Sequence, residues 1–545
     1  MSAATSLERS APSSAMDRRT VTLLFLTLMV VMLLASLSQM VLSSALPTLV
    51  GELNGVEHLS WVITAYLLAA TVTMPIYGKV SDLLGRKPLL LTAVSFFIAG
   101  SVLGGLAQDM TMLIVARAVQ GLGGGGLMVL SQAAIADVVP ARERGRYMGI
   151  LGGVFAFSSV AGPLLGGWFT EGPGWRWTFW MNVPLGALAL VAIAILLRVP
   201  RPARAGRARI DYPGMVLLTL ATSGVVLTAT WGGTQFEWES PTMIALIVGS
   251  VITAGLFVLV ERRSLEPVIP LRLFRARNFV LATLAGMLVS VAMFGAMSYM
   301  PTYFQMAAGA TATEAGLLMI PMMATFLTTS IVVGVVISRT GRYKLIPIIG
   351  SLVLALGLGL LSTAGLDTPI ALVCTWMAII GIGLGTSMQV MTLIVQNTFA
   401  HRQVGTATAA QNYFRQVGGT LGTAIVGSVF AARLADLLSA RLPADSASGG
   451  GSPDAASLTP ELVAGLPDAL RTAIVSSYND ALIPVYLVMV PLALAAAAVL
   501  VFLIETPLAT TISREGAEQV APLESDAGEA GDAQELPNER GSRLP

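Results

Sequence analysis

The sequence predicts an all-α polytopic membrane protein: fourteen transmembrane helices, arranged as two six-helix pseudo-repeat bundles plus an inserted helix pair, with both termini cytoplasmic. Three observations predict it. Of 545 residues, 54% are hydrophobic and 12% charged, with a mean hydropathy of +0.76, whereas a water-soluble surface needs about 25% charge. The apolar residues fall into blocks of about 20 residues, the helical length that crosses a hydrocarbon core about 30 Å thick. Basic residues gather between alternate blocks, as they do in cytoplasmic loops.

In order, the blocks are 21–43, 59–77, 89–106, 111–134, 148–169, 178–197, 213–231, 243–260, 279–303, 314–337, 345–366, 370–395, 405–430 and 482–504. The first follows Asp17-Arg18-Arg19 but is longer than a signal-peptide core, so it reads as an uncleaved helix. Most of the 32 Lys+Arg then share one side. Lys79, Arg86 and Lys87 follow the second block, and Arg142, Arg144 and Arg146 the fourth. Arg198, Arg201, Arg204, Arg207 and Arg209 follow the sixth; Arg262, Arg263, Arg272, Arg275 and Arg277 the eighth; Arg339, Arg342 and Lys344 the tenth. A missing or surplus helix would put the later clusters on the wrong side. The result is a cytoplasmic N-tail (1–20), a first bundle (21–198), the inserted pair with its linkers (199–277), a second bundle (278–504) and a cytoplasmic tail (505–545). Within the second bundle, 431–481 reads as an extracytoplasmic loop with a flexible run at 446–452 and a surface helix at 461–478. The tail is acidic and has too little apolar surface to offset the entropy of ordering, so it reads as disordered.

Glycine patterns recur at a nearly fixed offset. Gly78 with Gly85-Arg86 returns as Gly334 with Gly341-Arg342, Gly121-Leu122-Gly123 as Gly381-Ile382-Gly383, and Gly162 with Gly166 as Gly418 with Gly422. Three matches in the same order imply duplication, with spans 7 and 8 inserted between the copies. Parallel repeats about an axis normal to the membrane are one of the two plans of secondary transporters, with the substrate site between the halves at mid-membrane.

Other classes are disfavoured. One cysteine, Cys374, makes no disulfide framework or Cys/His metal cluster, and a net charge of +1 does not suit nucleic acid. The two histidines, His58 and His401, lie near membrane surfaces with no nucleophile constellation, so neither an enzyme nor a cofactor or metal site is expected.

The loop after span 2 reads Gly78-Lys79-Val80-Ser81-Asp82-Leu83-Leu84-Gly85-Arg86-Lys87-Pro88. Its glycines allow helix ends to approach, and Asp82 can accept from Arg86 or from a neighbouring helix end, which makes a latch. Span 4 carries Arg117-Ala118-Val119-Gln120-Gly121; span 5 carries Gly153, then Gly162-Pro163-Leu164-Leu165-Gly166-Gly167; span 6 begins Trp175-Arg176-Trp177-Thr178-Phe179-Trp180-Met181-Asn182-Val183-Pro184. Together these resemble the signature motifs of the major facilitator superfamily, and within it the fourteen-helix drug:proton antiporters of multidrug efflux type, over about residues 20 to 505. The resemblance implies that Gly78, Asp82, Gly85 and Arg86, with Gly341 and Arg342 in the second copy, stabilise the outward-facing state. It also implies that the antiporter motif of Gly153, Gly162, Pro163, Gly166 and Gly167 serves export, and that Arg117 takes part in proton transfer. Tight helix packing without gating is the other reading of those glycines.

The chain departs from that family at Ser38, where many members have Asp. A buried carboxyl is the simplest proton carrier, and none lies deep in a span. Asp109 and Glu314 at outer ends and Asp137 at an inner end are the nearest. Glu314 is the first choice, since span 10 faces the cavity in the resembled fold; a helix-start carboxylate held by the dipole is the alternative. The deep charges are Arg117, about 9 Å into its helix, and Arg415, about 15 Å. Each costs about 2.5–3.5 kcal/mol at mid-membrane unless it faces the interior and finds acceptors. Gln120 and Ser38 can serve Arg117; Gln411, Asn412 and Gln416 flank Arg415, for which function and structure remain equally open. Gln39, Trp61, Tyr66, Met293, Phe294, Met297, Tyr303, Met319 and Met323 are candidates, with Ser38, Gln411, Asn412 and Arg415, for a substrate cavity, because aromatic and Met side chains give adaptable apolar contact.

The expectation is a monomeric secondary transporter in a bacterial plasma membrane, surrounded by lipid, exporting small hydrophobic or amphiphilic compounds and drugs by alternating access in exchange for protons, with the proton gradient as energy source. A lipid or metabolite exporter of neutral or anionic amphiphiles, or a uniporter, is the alternative. The missing carboxylate and two buried arginines favour neutral or anionic substrates over dications. Lysine is confined to Lys79, Lys87 and Lys344, an arginine bias that suits a GC-rich bacterial gene.

Overall fold

The computed structural model describes residues 18–53, 58–197, 210–233, 235–441, 463 and 465–508. Its helices are α1 Arg18–Glu52, α2 Leu59–Leu84, α3 Arg86–Gly105, α4 Met110–Val138, α5 Ala141–Glu171, α6 Trp177–Trp180, α7 Asn182–Leu196, α8 Tyr212–Trp231, α9 Pro241–Arg263, α10 Arg277–Ala307, α11 Ala312–Leu318, α12 Ile320–Thr340, α13 Leu345–Leu361, α14 Ile370–Thr398, α15 Val404–Arg441, α16 Asp468–Leu482 and α17 Val485–Val501. Thirteen stretches among the described residues are long and apolar enough to cross a membrane, and α13, at 17 residues, is the apolar fourteenth. Helices are the expected answer in lipid, where every backbone N–H and C=O must find its partner within the segment.

Two spans break near prolines. α6 gives way to α7 at Met181, ahead of Pro184, and α11 to α12 at Met319, ahead of Pro321; proline removes a backbone donor and crowds the preceding turn. Three boundaries differ from expectation. α1 runs past Pro47 to Glu52. α15 continues through Arg441, so residues 431–441 are helix rather than outer loop. The surface helix expected at 461–478 is α16, which begins at Asp468 and is packed: Tyr478 meets Phe430 at 4.8 Å between ring centroids and Tyr303 Oη donates to Asn479 Oδ1 at 3.0 Å. Its polar residues made it look solvated, yet they bond to α10 and α15. The run 446–452 and the tail beyond Leu508 lie outside the described residues. The start of the tail is ordered, because Glu505 Oε1 accepts from the backbone N–H of Tyr343 at 2.6 Å and of Lys344 at 3.1 Å.

The repeat is visible in which helix each glycine meets. Gly121 of α4 lies on the Tyr66 carbonyl of α2, and Gly381 of α14 on the Met322 carbonyl of α12. Gly123 abuts Ala93 and Phe97 of α3, and Gly383 abuts Gly350 and Leu354 of α13. Gly162 and Gly166 rest on Met40, Val41 and Ser44 of α1; Gly418 and Gly422 rest on Met287 and Val291 of α10. Lipid tails give helices no hydrophobic reason to associate, so close van der Waals contact through such small residues holds each half together.

The inserted pair docks through α8. Trp231 stacks edge-on against Trp61 of α2 at 5.2 Å, and Thr222 Oγ1 pairs with Tyr413 Oη of α15 at 2.9 Å, so α8 touches both halves. α9 packs chiefly on α8 and leaves Ile247, Val251, Ile252 and Leu259 outward.

Candidate functional site

The two halves meet along a seam whose best-fastened end is the face carrying the arginine clusters, called here the basic face. The sequence builds the first clasp from a turn. Gly85, at φ 97°, joins α2 to α3 in a conformation that side chains resist, and sets Arg86 between two carboxylates. Arg86 Nη2 pairs with Asp82 Oδ1 at 2.6 Å, its Nε with Asp137 Oδ2 of α4 at 3.1 Å, and its Nη1 donates to Ser81 Oγ. The other Asp82 oxygen crosses the seam, accepting from Thr406 N at 2.7 Å and Thr406 Oγ1 at 2.5 Å in the first turn of α15. Two acids and one Arg leave a net negative charge against the positive end of α15, the sign that the helix dipole favours. The approach needs Gly78 and Gly405, because a methyl on Gly78 would overlap Ala409 and one on Gly405 would overlap Arg86 and Asp82.

The second clasp has the opposite polarity. The repeat puts Ser338 where the first half has Asp82, and here Arg142 of α5 donates from Nε to Ser338 O at 3.2 Å and from Nη2 to Arg339 O at 3.0 Å, a cation on the negative end of α12. Gly341 ends α12 at φ 73° and Arg342 is exposed, and the contact on this helix end comes from Arg142. Between the clasps, Gly145 and Gly149 of α5 lie against Gly334 and Ser330 of α12, and Ser330 Oγ donates to Gly149 O at 3.2 Å.

Deeper along the seam is a polar layer. Asn412 Nδ2 of α15 donates to Gln132 Oε1 of α4 at 2.9 Å, Gln396 Nε2 of α14 donates to Gln132 O at 3.4 Å, and Thr392 Oγ1 donates to Gln411 Oε1 at 3.1 Å. Arg415 Nη2 donates to Asn412 Oδ1 at 2.6 Å and lies 4.0 Å from Met128 Sδ of α4. Gln132 Nε2, Gln411 Nε2, Gln389 Oε1 and Gln396 Oε1 are buried with no hydrogen-bond partner among the described residues. Buried amides left unpaired are costly, and here they concentrate where the two halves meet.

Arg117 has a different setting. It is fully buried inside the first half, its guanidinium 4.2 Å from the centroid of the Tyr66 ring, Nε donating to Val62 O at 3.2 Å and Nη1 to Gln120 Oε1 at 2.5 Å. Gln120 Nε2 then donates to Ser38 Oγ at 3.0 Å and Ser101 Oγ at 2.9 Å, while Asn182 Nδ2 reaches Ser38 Oγ at 3.2 Å. The position where many family members have Asp is therefore one amide away from Arg117.

The remaining candidates separate by location. Asp109 caps α4, accepting from Met112 N at 2.7 Å. Glu314 is exposed and completes a capping box with Thr311, whose N–H and hydroxyl donate to Glu314 Oε2 at 2.8 and 3.0 Å. Gln preserves a capping box, so Glu314→Gln should keep both fold and transport; loss of substrate-driven proton movement in vesicles would instead make Glu314 the carrier. Gly153 meets Leu327 of α12 across the seam, Pro163 faces Gly316 of α11, and Gly167 meets nothing within 4 Å. Met293, Tyr303, Met319 and Met323 belong to the hydrophobic core of the second half, while Gln39, Trp61, Phe294 and Met297 are half-buried.

Sequence reasoning missed Arg142, Gln132 and Gln396, whose partners lie far along the chain. It also missed a buried acid pair. Asp211 Oδ1 caps α8 through Gly214 N at 2.9 Å and Glu261 Oε1 of α9 accepts from Val268 N at 3.0 Å; both approach Gly214, and Asp211 Oδ2 and Glu261 Oε2 have no hydrogen-bond partner among the described residues. Their positions at span ends hid them. At the opposite face, Glu52 holds Trp175 Nε1 at 2.7 Å and Arg176 Nη1 at 2.6 Å, and these bonds, that of Arg176 first, keep its carboxyl below the usual carboxylate range.

The sequence profile of the Major Facilitator Superfamily matches residues 28–423. An MFS-type transporter of Mycobacterium tuberculosis is 38% identical over 510 residues, covering 93% of this chain and 72% of the relative. The multidrug transporter protein MdtP of Bacillus subtilis is 35% identical over 421 residues, 77% of each. Among solved structures, the proton:xylose symporter XylE shares the fold at a TM-score of 0.57 and 17% identity, with 90% of this chain and 97% of that one covered.

Proposed function

Because the chain belongs to the major facilitator superfamily, and is thus a multi-pass membrane transporter rather than an enzyme, we propose that it exports hydrophobic and amphiphilic compounds, drugs among them, across a bacterial plasma membrane in exchange for protons. The observation that carries this reading is the seam. Its halves are clasped at the basic face by ionic and helix-end contacts that can be remade, and its interior presents unpaired amides beside Arg415. A structural seam with no need to open has no use for either feature. The Lys/Arg bias supports a cytoplasmic basic face and cytoplasmic termini, and in that orientation the clasped arrangement is the one closed to the cytoplasm. The multidrug and efflux character of relatives such as MdtP supports export of varied solutes. The chain acts as a monomer, each half supplying one wall of the pathway.

Everted membrane vesicles with a preset pH gradient test this. Addition of substrate should collapse the gradient, and a protonophore should abolish export. Export that continues unchanged with the protonophore present would overturn the coupling, leaving a uniporter.

A further inference from the structure

We infer that Arg415 reads substrate charge: the pathway takes amphiphiles bearing an anionic head, such as a carboxylate or sulfonate, which pairs with this guanidinium when the seam opens. The inference rests on the export function proposed above and adds to it the chemical class of the cargo.

Arg415 lies eleven residues into α15, about 16 Å from its start at a rise of about 1.5 Å per residue, close to mid-membrane. Its residue is 8% exposed. A guanidinium has five N–H donors in a planar fork, and among the described residues Arg415 has one strong acceptor, Asn412 Oδ1, and one weak one, Met128 Sδ. None of its recorded partners is a carboxylate. Arg117 is set differently. That arginine is also buried without a carboxylate, but its acceptors and the Tyr66 ring all belong to its own half and need not change when the halves part. Arg415 also keeps its principal acceptor, Asn412, on its own helix, but it touches Met128 on α4 of the opposite half, and Asn412 is itself tied across the seam to Gln132.

Opening the seam breaks the Asn412–Gln132 bond and parts Arg415 from Met128, leaving a cation held by one neutral amide oxygen of its own helix with most of its donors unused, beside amides with spare donors at Gln132 Nε2 and Gln411 Nε2. A planar two-oxygen anion is the partner that such a fork fits, with two parallel charge-assisted bonds. A cationic head would meet like charge in a low-dielectric setting and be rejected. The flanking Met128 thioether adapts to differing apolar bodies without specifying one.

The test uses the full chain in proteoliposomes and three probes with one apolar body: pyrenebutyrate, pyrenebutanol and a pyrenebutyl trimethylammonium ion. Wild type should export the carboxylate with a kcat/KM at least about tenfold above that of the ammonium probe. Arg415→Gln should cost the carboxylate about tenfold or more, mainly through KM, and leave pyrenebutanol within about twofold, while Arg415→Lys should restore part of the preference. A wild-type preference for the cation, or equal losses for the carboxylate and the alcohol in Arg415→Gln, would overturn the inference and leave Arg415 a seam-packing residue. Export of none of the three would overturn the export function itself, and the inference with it.

Discussion

Asp82→Asn should leave insertion into the membrane unchanged and lower turnover at least about tenfold. Asn keeps the size of the side chain and an oxygen for the Thr406 N–H, and Asn is among the best helix-capping residues, so the substitution removes charge more than shape. What is lost is the pairing with buried Arg86, which sits 2.6 Å from one Asp82 oxygen. Breaking a buried pair costs about 3–5 kcal/mol, and because Asp137 still pairs with Arg86, the lower end applies. About 3 kcal/mol shifts a two-state equilibrium by roughly a hundredfold away from the state closed at the basic face. A reporter makes the shift visible. In a Cys374→Ser background, Ser330→Cys places a thiol where the native hydroxyl is buried against Gly149. Maleimide labelling from the basic face should then accelerate in Asp82→Asn. Turnover within about twofold of wild type, or unchanged labelling, would show that the Asp82 contact does not hold the closed state.

That latch was readable in the sequence because its parts are local. Gly78, Asp82, Gly85 and Arg86 lie within nine residues at the junction of α2 and α3, and only their distant partners, Thr406 and Asp137, had to come from the fold. The spans and the repeat were readable for a similar reason: hydrocarbon thickness sets block length, and duplicated glycines keep their spacing. The acceptors of Arg117 were partly visible, since Gln120 lies one helical turn away. Contacts across the seam were not. Arg142 with the end of α12, and Gln132 with Asn412, join residues more than a hundred positions apart through helix crossings that no periodicity specifies. Residues 431–441 and the packing of α16 were hidden differently, because a helix with many polar or solvent-facing residues has the composition of a loop. The sequence position of Glu314 does not reveal that both of its carboxylate bonds go to Thr311.

Gly334→Leu should abolish transport in a protein that still reaches the membrane. A methyl at this position would overlap the Gly145 carbonyl oxygen and come within 2.9 Å of its carbon and 3.1 Å of Arg146 Cα. Those atoms are α5 backbone, so no rotamer change relieves the contact and the helices must move apart. One residue affects the whole crossing, since a helix is stiff over this length and the same two helices are in backbone contact at Gly149 with Ser330. Separation pulls Arg142 off the Ser338 and Arg339 carbonyls, leaving the end of α12 without its cation. Overpacking a tight site costs about 1–3 kcal/mol even with relaxation, and here the cost falls on one conformation, because the contact exists only while the basic face is closed. The state open at that face has no such penalty, which is why folding and insertion survive. Gly255→Leu on α9, where a side chain would meet nothing within 4 Å, is the matched control and should transport normally. Gly334→Leu should also label fastest at the Ser330→Cys reporter, faster than Asp82→Asn, because a steric block cannot be transiently satisfied whereas a weakened ion pair can. Transport in Gly334→Leu comparable to the Gly255→Leu control would mean that the two halves need not close along α5 and α12 at all.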